Sequence, residues 1–276
     1  MMLPAVAVRH LAGRPARPLL VVGPSLGTTV DRLWGPVASA LSGWNVLGWD
    51  LPGHGASPSV DRLAPALTLS SLGEGVLAAV SEAAGPDVAF AYAGDSVGGA
   101  VGLQLALDHP ERVTSLAVLC SEAAFGTWAT WPERAALVRS EGMAPIVASS
   151  PARWFGSRVG EADPRRAAAA VDLAAVDPES YARVCEALAG FDVRARLAEL
   201  GVPLLAVAGA DDVATPPTVL AELAAAVPDG RLEVLPGVGH LAPYEAPTEV
   251  AALLRGHSER SSAASRARST SSSTSA

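Results

Sequence analysis

A serine lies at the centre of a glycine-rich turn, residues 94–99, with the sequence Gly-Asp-Ser-Val-Gly-Gly. The apolar run 88–93 leads into this turn, and residues 100–107, whose apolar positions have helical spacing, follow it. A Gly-x-Ser-x-Gly turn between a strand and a helix exposes the serine hydroxyl and points the first N–H groups of the helix toward the reacting atoms. The pattern predicts that Ser96 is a nucleophile, although a tight architectural turn would give the same bare motif.

A serine nucleophile needs a general base, and the chain has five histidines: His10, His54, His109, His240 and His257. The first lies in an arginine-containing stretch and the last in a polar tail, so neither is expected to be held rigidly. His109 ends the helix that follows Ser96, about 20 Å from its start. His54 lies in a turn-rich loop, where histidines more often bind backbone groups.

His240 is the remaining candidate for the base. It lies in the glycine-flanked loop 237–240, directly after the apolar run 232–235 and before a helix that is predicted to begin near Pro247. A loop histidine without chemistry is the alternative. Because a nucleophile turn lies upstream, we predict that His240 is the general base.

An acid that orients the base should lie between the serine and the histidine if the catalytic residues follow the order Ser, Asp or Glu, His. Asp211 and Asp212 directly follow the apolar run 203–208, which reads as a buried strand. Glu122 follows the apolar run 116–120 and is a weaker candidate. These residues alone leave the three acids open.

Composition excludes several classes of function. All twenty basic residues of the 276-residue chain are arginine, so a Schiff-base lysine and a phosphate-binding Gly-Lys-Ser/Thr loop are excluded. The formal net charge is −8, and since the C-terminal tail is net positive, the rest is more acidic still. We therefore expect no nucleic-acid partner and no membrane partner.

Cysteine usage and targeting signals favour a cytoplasmic protein. Cys120 and Cys185 suit reduced buried thiols better than a disulfide framework. The N-terminus lacks the basic start and the apolar run of a signal peptide, and no apolar stretch reaches transmembrane length. The chemistry expected of Ser96 and His240 calls for no metal and no organic cofactor.

Strand-like apolar runs alternate with helical patterns along the chain, at residues 19–22, 45–49, 88–93, 114–120, 204–208 and 232–235. This alternation predicts an α/β fold with a mostly parallel central sheet flanked by helices, preceded by a short antiparallel strand or hairpin near residues 4–12. The long interval after Cys120 predicts a helical cap insertion at about 122–192. We expect one catalytic domain over 1–256 and a disordered polar tail or linker over 257–276.

From about residue 19 to residue 254, the chain resembles the α/β-hydrolase superfamily. The resemblance rests on the segment 50–57, Asp-Leu-Pro-Gly-His-Gly-Ala-Ser, on the nucleophile turn, on Asp212 and on His240. Within the superfamily it looks most like the 3-oxoadipate enol-lactonases. The residues that carry this closer likeness are Ser-Leu-Gly-Thr-Thr at 25–29 with Trp34, the segment 105–113, and the cap segments 131–134, 138–139 and 153–155.

The resemblance implies roles for particular residues. The spacing Gly-x-x-Asp-x-x-x-Pro of these hydrolases selects Asp212 as the acid, with Asp211 a solvated turn carboxylate or helix cap. The backbone N–H groups of Leu26 and Val97 would form the oxyanion hole. In the cap, the implied substrate-binding residues are Trp131, Arg134, Arg153 and Trp154.

The activity that the resemblance implies is the opening of 3-oxoadipate enol-lactone to 3-oxoadipate in the catabolism of aromatic compounds through protocatechuate or catechol. A broad carboxylesterase or lactonase, and less favourably a non-catalytic ligand-sensing relative, are the alternatives. Some relatives are fused to a carboxymuconolactone decarboxylase, so the tail is a candidate linker to such a partner or fused domain.

The chain departs from the enol-lactonase pattern at Asp95, at Pro24 and in its long tail. A carboxylate beside the nucleophile would disfavour the formation of a second negative charge nearby. We expect the side chain of Asp95 to avoid this by pairing with an arginine or capping the next helix.

Overall fold

The computed structural model of the protein describes residues 3–61, 63–125 and 130–272, with side chains as far as Ser261. In these residues seven strands form one sheet in the order β1-β3-β2-β4-β5-β6-β7, and only the β1–β3 pairing is antiparallel. The strands are β1 Val8–Ala12, β2 Leu19–Gly23, β3 Asn45–Trp49, β4 Phe90–Asp95, β5 Val113–Leu119, β6 Leu204–Gly209 and β7 Gly230–Leu235. The predicted mostly parallel sheet is confirmed.

Helices follow most of the strands. Their bounds are α1 Val30–Ala40, α2 Leu69–Ala84, α3 Val97–Asp108, α4 Thr130–Glu141, α5 Ala144–Ser149, α6 Pro151–Trp154, α7 Pro164–Ala174, α8 Pro178–Ala189, α9 Pro217–Ala226, α10 Ala242–Glu245 and α11 Pro247–Ser272, with a 3₁₀ helix at Arg194–Glu199. Helix α1 packs on α11, and α2 packs on α3. The sheet thereby has helical layers that bury its apolar strands.

The order in which successive strands are added to the sheet reverses at β2 and β4, which are parallel neighbours in its centre. The connection β2-α1-β3 moves toward one edge of the sheet, and β4-α3-β5 moves toward the other. Because both crossovers are right-handed, as nearly all are, their helices cover opposite faces and a crevice opens at the carboxyl ends of β2 and β4. The loop after β2 and the turn that holds Ser96 therefore meet at this crevice.

Five helices, α4 to α8, lie between β5 and β6 and correspond to the helical cap expected at about 122–192. Residues 126–129 of that segment lie outside the described residues. Asp163 and Asp177 each accept a hydrogen bond from a backbone N–H of the helix that they cap, and a proline follows each of them. Arg32 in α1 holds both carboxylate oxygens of Asp172 in α7, which fastens the cap to the sheet domain.

The C-terminal segment differs from the disordered tail that was expected. Helix α11 continues through the predicted boundary at residue 257 to Ser272. His257, which was expected to lie in an unstructured tail, is buried. The difference has a local cause, because a formed helix propagates readily into a sequence rich in Ala, Ser and Arg. That the segment links to another domain stays a prediction.

In the described part of the chain, no helix combines the length and apolar character needed to cross a membrane. Cys120 and Cys185 are free and buried, which agrees with the reduced thiols expected from the sequence.

Two buried histidines make stability depend on pH. Burial lowers the pKa of His54 and of His257 to about 4, below the usual 6.5. Since the unfolded chain binds these protons first, we expect the free energy of unfolding to fall as the pH drops from about 6.5 to about 4, by at most about 3 kcal/mol for each group. Denaturant unfolding of the wild type and of His257→Gln at pH 7 and pH 5 measures this. An equal loss in both proteins would contradict a contribution from His257.

Candidate active site

Ser96 occupies a strained turn between β4 and α3. Its φ of 53° and ψ of −120° lie outside the regions that a residue with a side chain prefers. Hydrogen bonds fix both sides of the residue: its N–H donates to the Leu119 carbonyl at 2.8 Å, and its carbonyl accepts from the Ser121 hydroxyl at 2.6 Å. Such strain is stable only where the surroundings impose it, and it is typical of a nucleophile turn.

Close contact joins this turn to the loop after β2. The N–H of Gly98 donates to the Pro24 carbonyl at 2.9 Å. A Cβ atom on Gly98 would lie 2.5 Å from the carbonyl carbon of Gly23, so no larger residue fits without a backbone shift. The glycine that the motif requires after the serine is therefore explained by this approach of two loops.

The N–H groups of Leu26 and Val97 are free of protein acceptors in the described part of the chain, as oxyanion donors must be. Leu26 lines the same cavity as Ser96, and Val97 is the first residue of α3. His54 fixes the loop that carries Leu26, because its Nε2 accepts the N–H of Gly27 at 3.1 Å and its Nδ1 donates to the Pro52 carbonyl. His54 thus binds backbone groups, as its turn-rich surroundings indicated.

Asp212 is hydrogen-bonded to His240, with 2.8 Å between Oδ2 and Nδ1, and both residues are buried. The hydroxyl of Thr215 donates to the same oxygen at 2.6 Å, and two backbone N–H groups donate to Oδ1. Burial alone would raise the pKa of Asp212, but the positive charge of His240 and these hydrogen bonds outweigh it and lower the pKa. An ionised acid at Nδ1 leaves Nε2 of His240 free to act as a base.

The other two candidate acids have different positions. Asp211 is exposed and accepts the N–H of Ser157 in the cap at 2.8 Å. Glu122 has no hydrogen bond to His240, although it lies on the same cavity.

Ser96 and His240 both line a cavity of about 320 Å³ between the sheet domain and the cap. This volume suits a small organic molecule. Among the described residues, the Ser96 hydroxyl forms no hydrogen bond with the imidazole of His240. Catalytic contacts of this kind commonly tighten when substrate binds, so the arrangement can perform acyl transfer.

Comparison with known proteins agrees with this geometry. A family profile described as the alpha/beta hydrolase fold matches residues 18–247. The chain belongs to the α/β-hydrolase family.

Relatives of this hydrolase include several kinds of ester-cleaving enzyme. It is 35% identical over 204 residues to 3-oxoadipate enol-lactonase 2 of Acinetobacter baylyi, which is 74% of each chain. It is 32% identical over 219 residues to the pimeloyl-[acyl-carrier protein] methyl ester esterase of Aromatoleum aromaticum, covering 74% of this chain and 83% of that one. The crystal structure of the enol-lactonase from Burkholderia xenovorans LB400 superposes with a TM-score of 0.83 at 28% identity, covering 91% and 95% of the two chains. The expected resemblance is confirmed, and the protein is a hydrolase.

The cap segment that carries Trp154 is bonded directly to the loop of His240. The Trp154 carbonyl accepts the N–H of His240 at 2.8 Å. The buried carboxylate of Glu245 accepts N–H groups from Gly156 in the cap and from Gly239 and Leu241 on either side of the histidine. No motif in the sequence identified Glu245, because its partners are backbone groups and one of them, Gly156, is distant in the chain.

All four predicted cap residues of the hydrolase, Trp131, Arg134, Arg153 and Trp154, lie on the cavity wall. Arg134 donates to the Tyr181 hydroxyl at 2.8 Å and stacks over the rings of Trp131 and Tyr181. Within the described residues, neither arginine has a carboxylate partner. Their positive charges are therefore available to a ligand.

Unpaired polar atoms also lie on this wall. Trp131 Nε1 and the Ser150 hydroxyl are buried, and neither has a hydrogen-bond partner in the part of the chain that the structure describes. Buried polar groups are nearly always paired, so these two are expected to meet a ligand or water. No sequence motif pointed to Ser150, since a serine before a proline indicates only a turn.

The surroundings of Asp95 differ from the arginine pairing or helix cap that was expected. Asp95 has neither an arginine partner nor a helix-capping bond within the described residues, and both of its carboxylate oxygens are buried without a hydrogen bond. Burial, together with the negative charges of Asp212 and Glu245, raises its pKa well above the usual value. This raised pKa opposes the formation of a second negative charge beside Ser96.

The neighbouring aspartates provide a matched pair of variants. We expect Asp212→Asn to lower kcat about 10³- to 10⁴-fold, because the amide no longer fixes the tautomer or stabilises the cation of His240. Asp211→Asn should retain activity within a few fold. Ester hydrolysis by both variants, with melting temperatures as a check on folding, measures this. Equal losses in the two variants would exclude Asp212 as the orienting acid.

Glu245→Gln should weaken both stability and turnover, since its amide group would present N–H donors to the backbone N–H groups that the carboxylate now accepts. We expect a loss of about 1–3 kcal/mol in the free energy of unfolding, and a lower kcat because the loop of His240 loosens. The exposed Glu249→Gln is the control and should change stability by less than about 0.5 kcal/mol. Denaturant titrations and steady-state kinetics give both quantities. Wild-type behaviour of Glu245→Gln would refute the role.

Proposed function

We propose that the protein is a serine hydrolase that opens 3-oxoadipate enol-lactone to 3-oxoadipate in the catabolism of aromatic compounds. The observation that carries the proposal is one cavity lined by Ser96, by His240, which is hydrogen-bonded to Asp212, and by two arginines without a carboxylate partner among the described residues. The likeness to enol-lactonases over most of the chain supports the same substrate class.

Acylation uses the three residues in sequence. His240 takes the proton of Ser96 as the serine oxygen attacks the lactone carbonyl, and Asp212 stabilises the imidazolium. The N–H groups of Leu26 and Val97 hold the tetrahedral oxyanion, an interaction worth about 3 kcal/mol for each donor.

Collapse of the tetrahedral intermediate breaks the ring C–O bond and expels an enolate. The imidazolium of His240 gives its proton to this leaving group, which is stabilised by delocalisation and becomes a ketone, so acylation is favourable and His240 is neutral again. Water, deprotonated by His240, then attacks the acyl-enzyme and releases the acid. No step requires a metal or an organic cofactor.

Specificity comes from the cap in this proposal. The substrate carries a free carboxylate, and Arg153 or Arg134 would bind it by charge-assisted hydrogen bonds. Trp131 and Trp154 form an apolar wall, and the unpaired N–H of Trp131 supplies a further donor. Because the protein as a whole carries a net negative charge, an anionic substrate needs this local positive charge in order to bind.

A broad carboxylesterase or lactonase is the second candidate. The similarity to a methyl ester esterase favours it, and it would use the same serine, histidine and aspartate. The presence of all three residues argues against a ligand-sensing role without catalysis.

The decisive assay follows the ultraviolet absorbance of the enol-lactone. We expect the purified protein to remove it with a kcat/KM at least a hundredfold above that for 4-nitrophenyl acetate, and we expect Ser96→Ala to abolish turnover. Efficient hydrolysis of the acetate with none of the lactone would support the broad esterase instead. No hydrolysis of either compound would overturn the proposal.

Arginine variants test the carboxylate site in the same assay. We expect Arg153→Gln to raise KM for the lactone about tenfold with little effect on the neutral acetate. Arg158→Gln, which lies outside the cavity and pairs with Glu249, is the matched control.

A further inference from the structure

Glu122 lies inside the cavity without a role in the acyl-transfer chemistry. It follows the end of β5, which lies between β4, the strand of the nucleophile, and β6, the strand that precedes Asp212. Its side chain is half-buried and lines the same cavity as Ser96 and His240.

The carboxyl group of Glu122 is not neutralised by any residue that the structure describes. It forms no ion pair and no hydrogen bond with them, whereas Asp212 and Glu245 are both fully bonded. Burial is the main reason that the pKa of Glu122 rises to about 7, and the positive charges of His240 and Arg194 oppose this rise. The group therefore changes its charge near neutral pH.

Several charged or titratable groups face Glu122 from the elements around it. They are His240 from the loop after β7, Asp212 from the loop after β6, Arg194 from the 3₁₀ helix, Glu133 and Arg134 from α4, Arg153 from α6 and Tyr181 from α8. Among the described residues of the cap wall, Arg134 and Arg153 carry positive charges, and Glu133 carries the one carboxylate. An ionised Glu122 balances that excess of positive charge, and a neutral Glu122 preserves it.

We propose that Glu122 determines the charge specificity of the cavity: its neutral form admits anionic acyl groups, and its carboxylate form excludes them. This inference rests on the ester-hydrolase function proposed above. Like charges repel more strongly when they are partly buried than in bulk water, and a carboxylate bound in a cavity of about 320 Å³ lies near the groups of its wall.

Neutral substrates are not repelled by the ionised form of Glu122. An ionised Glu122 near His240 stabilises the imidazolium that forms during acylation, so their turnover does not fall as Glu122 loses its proton. The ratio of kcat/KM for an anionic ester to that for its neutral analogue isolates the effect of Glu122. Titration of His240, or damage to the fold, changes both terms of the ratio alike.

The kinetic test uses mono-4-nitrophenyl adipate and its methyl ester with the wild type, Glu122→Gln and Glu133→Gln. In the wild type we expect the anionic-to-neutral ratio to fall about tenfold between pH 6 and pH 8.5. Glu122→Gln, which resembles the protonated acid, should keep the ratio constant at the value seen at low pH. Glu133→Gln, which removes an exposed acid of the same cavity, is the control and should show the wild-type fall.

A binding measurement tests the inference without any chemistry. Calorimetric titration of the wild type with hexanoate and with hexanamide should show hexanoate affinity falling about tenfold relative to hexanamide over the same pH range, and Glu122→Gln should abolish the change. A wild-type fall that persists in Glu122→Gln, by either method, overturns the assignment. If neither nitrophenyl ester is hydrolysed, the calorimetry alone decides the role of Glu122, and the enol-lactone assay decides the proposed function.

Discussion

The approach of two loops at the carboxyl ends of β2 and β4 is the constraint on which the site depends. The hydrogen bond from Gly98 to Pro24 and the absence of a side chain on Gly98 allow the start of α3 to lie against the loop of Leu26. This contact supports the strained conformation of Ser96 and positions both candidate oxyanion donors. A right-handed connection on each side of the switch point makes the contact unavoidable for this strand order.

A second dependence links the cap to the loop of His240. The Trp154 carbonyl and the Glu245 carboxylate join the cap, through Trp154 and Gly156, to the loop of His240. The residues proposed to recognise substrate and the residue proposed to move protons therefore share one set of hydrogen bonds. A change in the packing of the cap is transmitted to the imidazole over a few bonds, so substrate specificity and turnover are not structurally independent.

Four acids close to the site are held in different states by their surroundings. Hydrogen bonds and the charge of His240 lower the pKa of Asp212, whereas burial without partners raises the pKa of Asp95 well above the usual value. Burial also raises the pKa of Glu245, although three backbone N–H groups oppose it. Partial burial raises the pKa of Glu122 to about 7. The same functional group thus has a lowered pKa at Asp212, a raised pKa at Asp95 and Glu245, and a pKa near neutrality at Glu122, because the surroundings of each group differ.

The sequence by itself determined the sheet, the order of its elements, the nucleophile turn and the choice of His240, because these follow from local apolar patterns, glycine spacing and a small number of histidines. It did not determine the partner of His240 among three acids without a family resemblance. The bond of Glu245 to the cap, the position of Ser150 on the cavity wall, the raised pKa of Asp95 and the burial of His257 depended on the tertiary packing around each group. Only the tertiary structure decided these, since a pKa and a hydrogen-bond partner depend on what surrounds a group in space, and local sequence carries no record of it.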